Sequence, residues 1–215
     1  MSIQNIIDKA QQIEIDKRRI VGQTISRSQR IKTAERSTAQ PWRFKITPPG
    51  MLPWTASRGF IQVIDFNDRV GEYEISLNNN PGMNYITGYM GGITQGQLNS
   101  LTIQAVGTST ITITGMPSVS SSTVIFAQGD LIQPENSRYP YTVANTVTRG
   151  SSTTTSVTLH RPIITSEGIS LVGQGLAVGN SCTWRVVVSG LPSYQLVPMQ
   201  RVQYTGDFEL VEKVI

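Results

Sequence analysis

Apolar residues recur along this chain at two different periods. Over residues 3–13, Ile3, Ile6, Ile7, Ala10 and Ile13 fall at three- and four-residue spacings. That places them on one face of a helix, with Ser2 as its N-cap. A helix of about three turns does not persist alone in water, so this one needs a surface to lie on. After it the period changes. In 18-RRIVGQTISRSQRIK-32, Val21, Thr24, Ile25 and Ile31 stand among Gln, Ser and Arg. β-Branched residues in a polar setting predict one long strand, bent at Gly22. Residues 33–41, TAERSTAQP, read as a loop, and 42-WRFKIT-47 as a strand closed by Pro48-Pro49-Gly50.

The remainder is a succession of short alternating runs separated by turn residues. They are FIQVIDF (60–66), GEYEISL (71–77), NYITGYM (84–90), SLTIQAV (100–106), STITITGM (109–116) and STVIFAQ (122–128), then YPYTVANTVT (139–148), TTSVTLHRPI (154–163), SLVG (170–173), CTWRVVVSG (182–190), MQRVQYT (199–205) and DFELVEKVI (207–215). Asn78-Asn79-Asn80-Pro81-Gly82 is a strong loop signal. The pattern predicts an all-β barrel or sandwich body over 42–215, built as one or two sub-barrels, preceded by a short helix and an extended basic arm over 1–41. The Ser/Thr-rich stretch 117–123 is the candidate seam between sub-barrels.

Composition sharpens this picture in two ways. Charged residues make up 15% of the 215, well below the roughly 25% of an ordinary soluble domain, with Ser, Thr, Asn, Gln and Gly in their place. Such a surface suits a chain that buries much of itself in an assembly. The net charge of +4 is also uneven: residues 1–43 hold nine Lys/Arg against four Asp/Glu, residues 44–215 nine against ten. The basic character belongs to the arm, so the high isoelectric point does not by itself mark a nucleic-acid-binding body. A single cysteine, Cys182, excludes an intrachain disulfide framework. No apolar run reaches the roughly 18 residues of a membrane span, and the N-terminus has no signal-peptide core.

Candidate chemistry is sparse. His160 is the one histidine and Cys182 the one thiol, poor material for a zinc site or a nucleophile–base pair, and both read as structural. Glu72 with Glu74, and Asp65 with Asp68, have glycosidase-like proximity, but a solvated strand face and a capped turn are the simpler reading. The glycines of 173-GQGLAVG-179 have the spacing GxGxxxG rather than that of a nucleotide loop, and read as a turn between strands. No catalytic, metal or cofactor residue is therefore assigned. The sharp feature is the basic run. Lys17, Arg18, Arg19, Arg27, Arg30, Lys32 and Arg36 would neutralise phosphates, yet residues 1–41 contain no aromatic residue to stack on a base. Interleaved with Val21, Ile25 and Ile31, these cations instead fit a strand that docks on a neighbouring subunit and meets its carboxylates. Trp42, Trp54, Trp184, Tyr139 and Tyr141 would form a sugar-stacking platform if exposed, or core and subunit contacts if not.

The order of these phrases carries a resemblance. A short helix, RRIVGQTISRSQRIKTAER and PWRFKITPPG are followed by 129-GDLIQPENSRYPYTVANTVTRG-150, 157-VTLHRPI-163 and 182-CTWRVVVSGLPSYQLVPMQRVQYTGDFELVE-212. This resembles structural tail proteins of tailed bacteriophages, in particular the small tail proteins of T4-like marine and cyanobacterial phages. The resemblance implies a non-enzymatic virion subunit without cofactors. It would form a ring with copies of itself, commonly sixfold, at the tail tube end or baseplate hub. Other tail or baseplate proteins would be its neighbours. DNA would pass through the ring without specific binding, no membrane would be involved, and assembly would take place in the host cytoplasm. The basic arm departs from a simple tube protein, because a DNA channel should not grip its cargo, and this places the arginines in a subunit interface. Two other readings stay open: a host-surface or carbohydrate-binding β module, and a nucleic-acid-binding barrel of OB type.

Overall fold

A computed structural model describes residues 3–18, 21–25, 31–35, 40–67, 69–165 and 168–214. The chain opens with a short helix α1 (Gln4–Asp8), strands β1 (Gln12–Asp16), β2 (Val21–Ile25), β3 (Ile31–Glu35), β4 (Arg43–Thr47) and β5 (Met51–Pro53), a longer helix α2 (Trp54–Asp65) and β6 (Glu72–Ile75). A middle stretch holds α3 (Gln95–Leu98) and strands β7 (Thr102–Val106), β8 (Thr110–Thr114), β9 (Val124–Phe126), β10 (Leu131–Pro134), β11 (Tyr141–Thr142), β12 (Val147–Thr148), β13 (Thr154–Thr158) and β14 (Leu176–Val178). The chain closes with β15 (Trp184–Gly190), β16 (Ser193–Val197), β17 (Arg201–Thr205) and β18 (Phe208–Glu212).

The fold is all-β, and the strand pairs are antiparallel. Its largest sheet has five strands in the order β1-β4-β18-β15-β6. Each strand alternates: Phe44 and Ile46 point inward while Arg43 and Lys45 point out, and Trp184, Val186 and Val188 do the same on β15. The inward side chains meet α1 and α2 in one hydrophobic cluster that includes Ile3, Ile6, Ile7, Phe60, Val202, Phe208 and Leu210. A second cluster, built from Ile103, Ile111, Ile113, Phe126, Tyr139, Val157 and Val178, fills the middle stretch. Each fully buried Ile, Leu or Phe contributes about 1.5–3 kcal/mol of transfer free energy. Among the described residues no sheet closes on itself, so the architecture is a set of open sheets around two cores rather than a closed barrel.

The second core is an insertion between β6 and β15. Its two ends lie side by side: Thr87 Oγ1 donates to Asn180 Oδ1 at 2.6 Å. Gly179 sits at φ +61, where a Cβ would come within 2.8 Å of the Thr87 carbonyl oxygen. Stretch 117–123 lies within the insertion, with Val119 against the second cluster.

Several expected elements differ. The first helix ends at Asp8 because the Gln11 N–H bonds to the Thr47 carbonyl and turns the chain into β1; Ile13 therefore belongs to a strand, and Ser2 lies outside the described residues. FIQVIDF fits both periods, but it is the end of α2. Pro53 starts that helix, and Ser57, Phe60, Ile61 and Ile64 extend a helical stripe onto Tyr204 and Phe208. NYITGYM begins with a 3₁₀ turn, Asn84–Thr87, continuing the Asn80-Pro81-Gly82 turn through bonds to the Asn80 carbonyl. The run 139–148 splits into β11 and β12, and SLVG is not a strand. Within GQGLAVG, Leu176–Val178 is a strand paired with β10.

Candidate assembly interface: the arm and its root

The basic segment doubles back instead of running as one strand. β2 pairs with β3 from Val21↔Glu35 to Ile25↔Ile31, while β1 pairs with β4 from Gln12↔Thr47 to Asp16↔Arg43. The two pairs belong to different sheets, the five-stranded one and a two-stranded one. In sequence, four residues separate β1 from β2 and seven separate β3 from β4. The loop expected over 33–41 thus begins as strand β3. Among the described residues β2 and β3 pair with no strand but each other. An isolated two-stranded ribbon is marginal in water, and its unpaired backbone groups are a template for another chain.

The structure locates the expected interface residues unequally. Lys17 and Arg18 stand at the root. Val21, Ile31 and Lys32 lie on the ribbon strands, and Ile25, 72% exposed, is at the distal end of β2. Arg19, Arg27, Arg30 and Arg36 fall outside the described residues. Arg18 pairs with Asp16 at 2.9 Å and holds that carboxyl well below the usual carboxylate range. The helix and β1 are not part of a detachable arm. Ile3, Ile6 and Ile7 are buried in the first cluster, and the Gln4 side chain both donates to and accepts from the Ser76 backbone at 2.8 Å.

Both strands of the ribbon are gripped where they leave the body. On the outgoing side, Lys17 Nζ lies 4.9 Å from the Trp42 ring centroid and donates to Thr142 Oγ1 at 2.9 Å. Its partial burial draws its pKa below that of an ordinary lysine. On the return side, Arg161 donates to the Gln40 carbonyl at 2.7 Å. The Trp42 N–H donates to Glu212 Oε2 at 3.0 Å, and the Glu212 N–H returns a bond to the Trp42 carbonyl at 2.8 Å. Arg161 and Glu212 are 4% and 2% exposed. Their guanidinium and carboxylate bond directly, at 2.7 Å for one arm of the fork, and Arg161 also donates to the Pro140 carbonyl at 2.9 Å. His160 stands edge-on to Trp42 with centroids 5.5 Å apart; its Nδ1 accepts the Thr142 N–H at 2.9 Å. A cavity of about 120 Å³ between Ile15, Lys17, Trp42, Ile86, Leu131 and Trp184 adjoins this root.

Gln40, Arg161 and Glu212 escaped the sequence reading. One signal was available: Glu212 continues the inward face set by Phe208 and Leu210. A carboxylate at a core position requires a buried partner.

The other candidates resolve into structural roles. The Cys182 thiol is buried and donates to the Ala177 carbonyl, whereas His160 is bonded to Thr142, so the two form no nucleophile–base pair. Glu72 pairs with Lys213 and, at 3.7 Å, with Arg185. Asp65 accepts from the Tyr194 hydroxyl at 2.9 Å, and Asp68 lies outside the described residues. Trp42, Trp184, Tyr139 and Tyr141 are buried and present no ring face to a sugar in solution; Trp54 is partly exposed. A groove of about 420 Å³ on the outer face of the large sheet is lined by charges of both signs, Glu14, Asp16 and Glu209 with Arg43 and Lys45. Among the described residues no three His, Cys, Asp or Glu gather as a metal-binding group. No helix among them is long and apolar enough to cross a membrane. No protein-family model matches the sequence, and neither does any curated protein.

Proposed function

We propose that this chain is a non-enzymatic structural subunit that joins copies of itself into a ring through its hairpin arm. The observation that carries this reading is the β2–β3 ribbon, whose strands, among the described residues, pair only with each other. Residues 17–36 hold seven Lys/Arg against one Asp/Glu, while the large sheet displays Glu14, Glu74 and Glu209 outward. A positively charged ribbon with two open edges finds both its hydrogen bonds and its counter-charges on a neighbouring copy. The large sheet carries the arm beside one edge, β1, and ends at the other in the short strand β6, so the two ends differ. Contacts of that head-to-tail kind close into rings when the rotation per subunit closes. The resemblance to phage tail proteins supplies the setting: a ring, commonly sixfold, at the end of a tail tube or in a baseplate hub, with DNA passing through its lumen and other tail proteins above and below.

The test replaces residues 19–39 by a short Gly/Ser linker, which leaves α1, β1 and the root in place. The variant is expected to stay folded by circular dichroism and to lose the ring seen by light scattering and negative-stain imaging. Charge reversal at Arg27 and Arg30 is expected to weaken association in the same direction. An arm-free variant that assembles like the wild type refutes the reading. Binding of oligonucleotides that falls steeply with salt, and disappears with the arm, would assign the cations to phosphates instead.

A further inference from the structure

The five-stranded sheet ends at β6, and the direction of the backbone there follows from two contacts. β6 pairs with β15 from Trp184↔Ile75 to Val187↔Glu72. Just past it, the Gln4 side chain holds both the Ser76 N–H and the Ser76 carbonyl at 2.8 Å, so the Ser76 backbone points away from β15. Backbone direction alternates with period two along a strand, and Glu74 and Glu72 therefore point the same way. The far side of β15 agrees. The Arg185 carbonyl accepts the N–H of Lys213, just after β18, at 2.9 Å, which makes Arg185↔Glu74 a pair without mutual bonds. Among the described residues no strand lies beyond β6. The open edge thus offers the N–H and carbonyl groups of Glu72 and Glu74, and the Gln4 amide closes its end.

Both residues of that edge are acidic and exposed. Glu72 is engaged by Lys213 and by Arg185, while Glu74 makes no ion pair among the described residues. Two β6 edges could pair with each other only by setting these carboxylates side by side, and like charges opposite one another across a ladder are destabilising. The edge therefore rejects its own kind and favours a basic strand. The ribbon supplies one. β3, IKTAE, carries Lys32, the one cation within the two described ribbon strands, in a segment rich in Lys and Arg. β1, the opposite edge of the sheet, is a poorer acceptor. It runs into the arm itself, and Arg18 holds its Asp16 at 2.9 Å.

We infer that the β6 edge is the dock for the arm of a neighbouring copy, with β3 added antiparallel to β6 and Lys32 opposite Glu74. The inference rests on the reading of the arm as the assembling element and names its acceptor. β6 has four residues and β3 has five, so the lengths match, and Gln4 keeps the added strand from sliding past Ser76. The same register sets Ile31 opposite Ile75, a residue of the first core, and Ala34 opposite Glu72, so no like charges meet. The arm leaves beside β1, four strand spacings from β6, or about 19 Å. Each copy then uses different surfaces toward its two neighbours, the head-to-tail arrangement of a closed ring.

The experiment measures association of the full chain by light scattering for the wild type, Glu74→Lys, Lys32→Glu and the double swap. Each single reversal is expected to weaken association about tenfold, and the swap to restore it to within about threefold of the wild type. Glu135→Lys makes the same charge change at an exposed site on the inserted lobe and is expected to leave association unchanged. Lys32→Cys combined with Glu74→Cys is expected to give disulfide-linked multimers on a non-reducing gel, since the native Cys182 is buried. The β6 assignment is overturned by single reversals that associate like the wild type, by a swap that rescues nothing, or by Glu135→Lys as weak as Glu74→Lys. A cysteine pair that stays unlinked, or links only within one chain, overturns it too. With the arm still required for assembly, those results leave the arm reading standing. The arm reading itself fails if the arm-free variant assembles like the wild type, and a monomeric wild type overturns both.

Discussion

At the scale of single residues, the consequences turn on burial. Cys182 is fully buried, and burial pushes its thiol up to about 12. A thiol held neutral in this way reacts slowly. Iodoacetamide at mildly alkaline pH is expected to leave the native chain unmodified and to alkylate it on unfolding in urea, as read by mass spectrometry. Between the ordinary thiol range and about 12 the unfolded chain gives up this proton first, so this group lowers stability as pH rises through that window. Arg161 and Glu212 form an ion pair from which water is excluded. Arg161→Met leaves a buried carboxylate with fewer partners and is expected to cost about 3–5 kcal/mol in urea titration. Adding Glu212→Leu is expected to recover much of that loss, because the desolvation of both charges disappears together.

At the scale of elements, α1 gains its stability from what it touches. With five residues and no side-chain N-cap, it depends on Ile3, Ile6 and Ile7 in the first core. Ile6→Ala is expected to cost about 2–5 kcal/mol, measured by thermal or urea unfolding. Legibility in the sequence followed the strength of the period. β4, β15, β17 and β18 alternate cleanly and stand where the pattern predicts them. FIQVIDF satisfied both periods, and the helix won only through its upstream turn from Pro53 to Ser57. The arm's reversal was hidden because 26-SRSQR-30 offers no glycine, proline or asparagine to mark a turn. The root was hidden for a different reason. Residues 17, 40–42, 140–142, 160–161 and 212 meet only in three dimensions, and Glu212 alone broke the local pattern.

At the scale of the whole molecule, the chain is one open-sheet body with a second core inserted into it, and the two are joined where the arm leaves. Because the insertion enters and leaves beside Thr87 and Asn180, a fragment spanning about 88–181 is expected to fold by itself into a β-rich unit with dispersed amide resonances; a random-coil spectrum would show that it leans on the outer body. That nesting also sets an order of events on the ribosome. The inserted lobe is contiguous, whereas the first core needs both Ile3 to Ile75 and Trp184 to Leu210. The segment made first must therefore wait for the segment made last, its sheet lacking the central strands β15 and β18 that stand between β4 and β6. During translation the nascent chain carries a finished lobe behind an unfinished one with exposed strand edges, the state in which it is most exposed to aggregation and to chaperones.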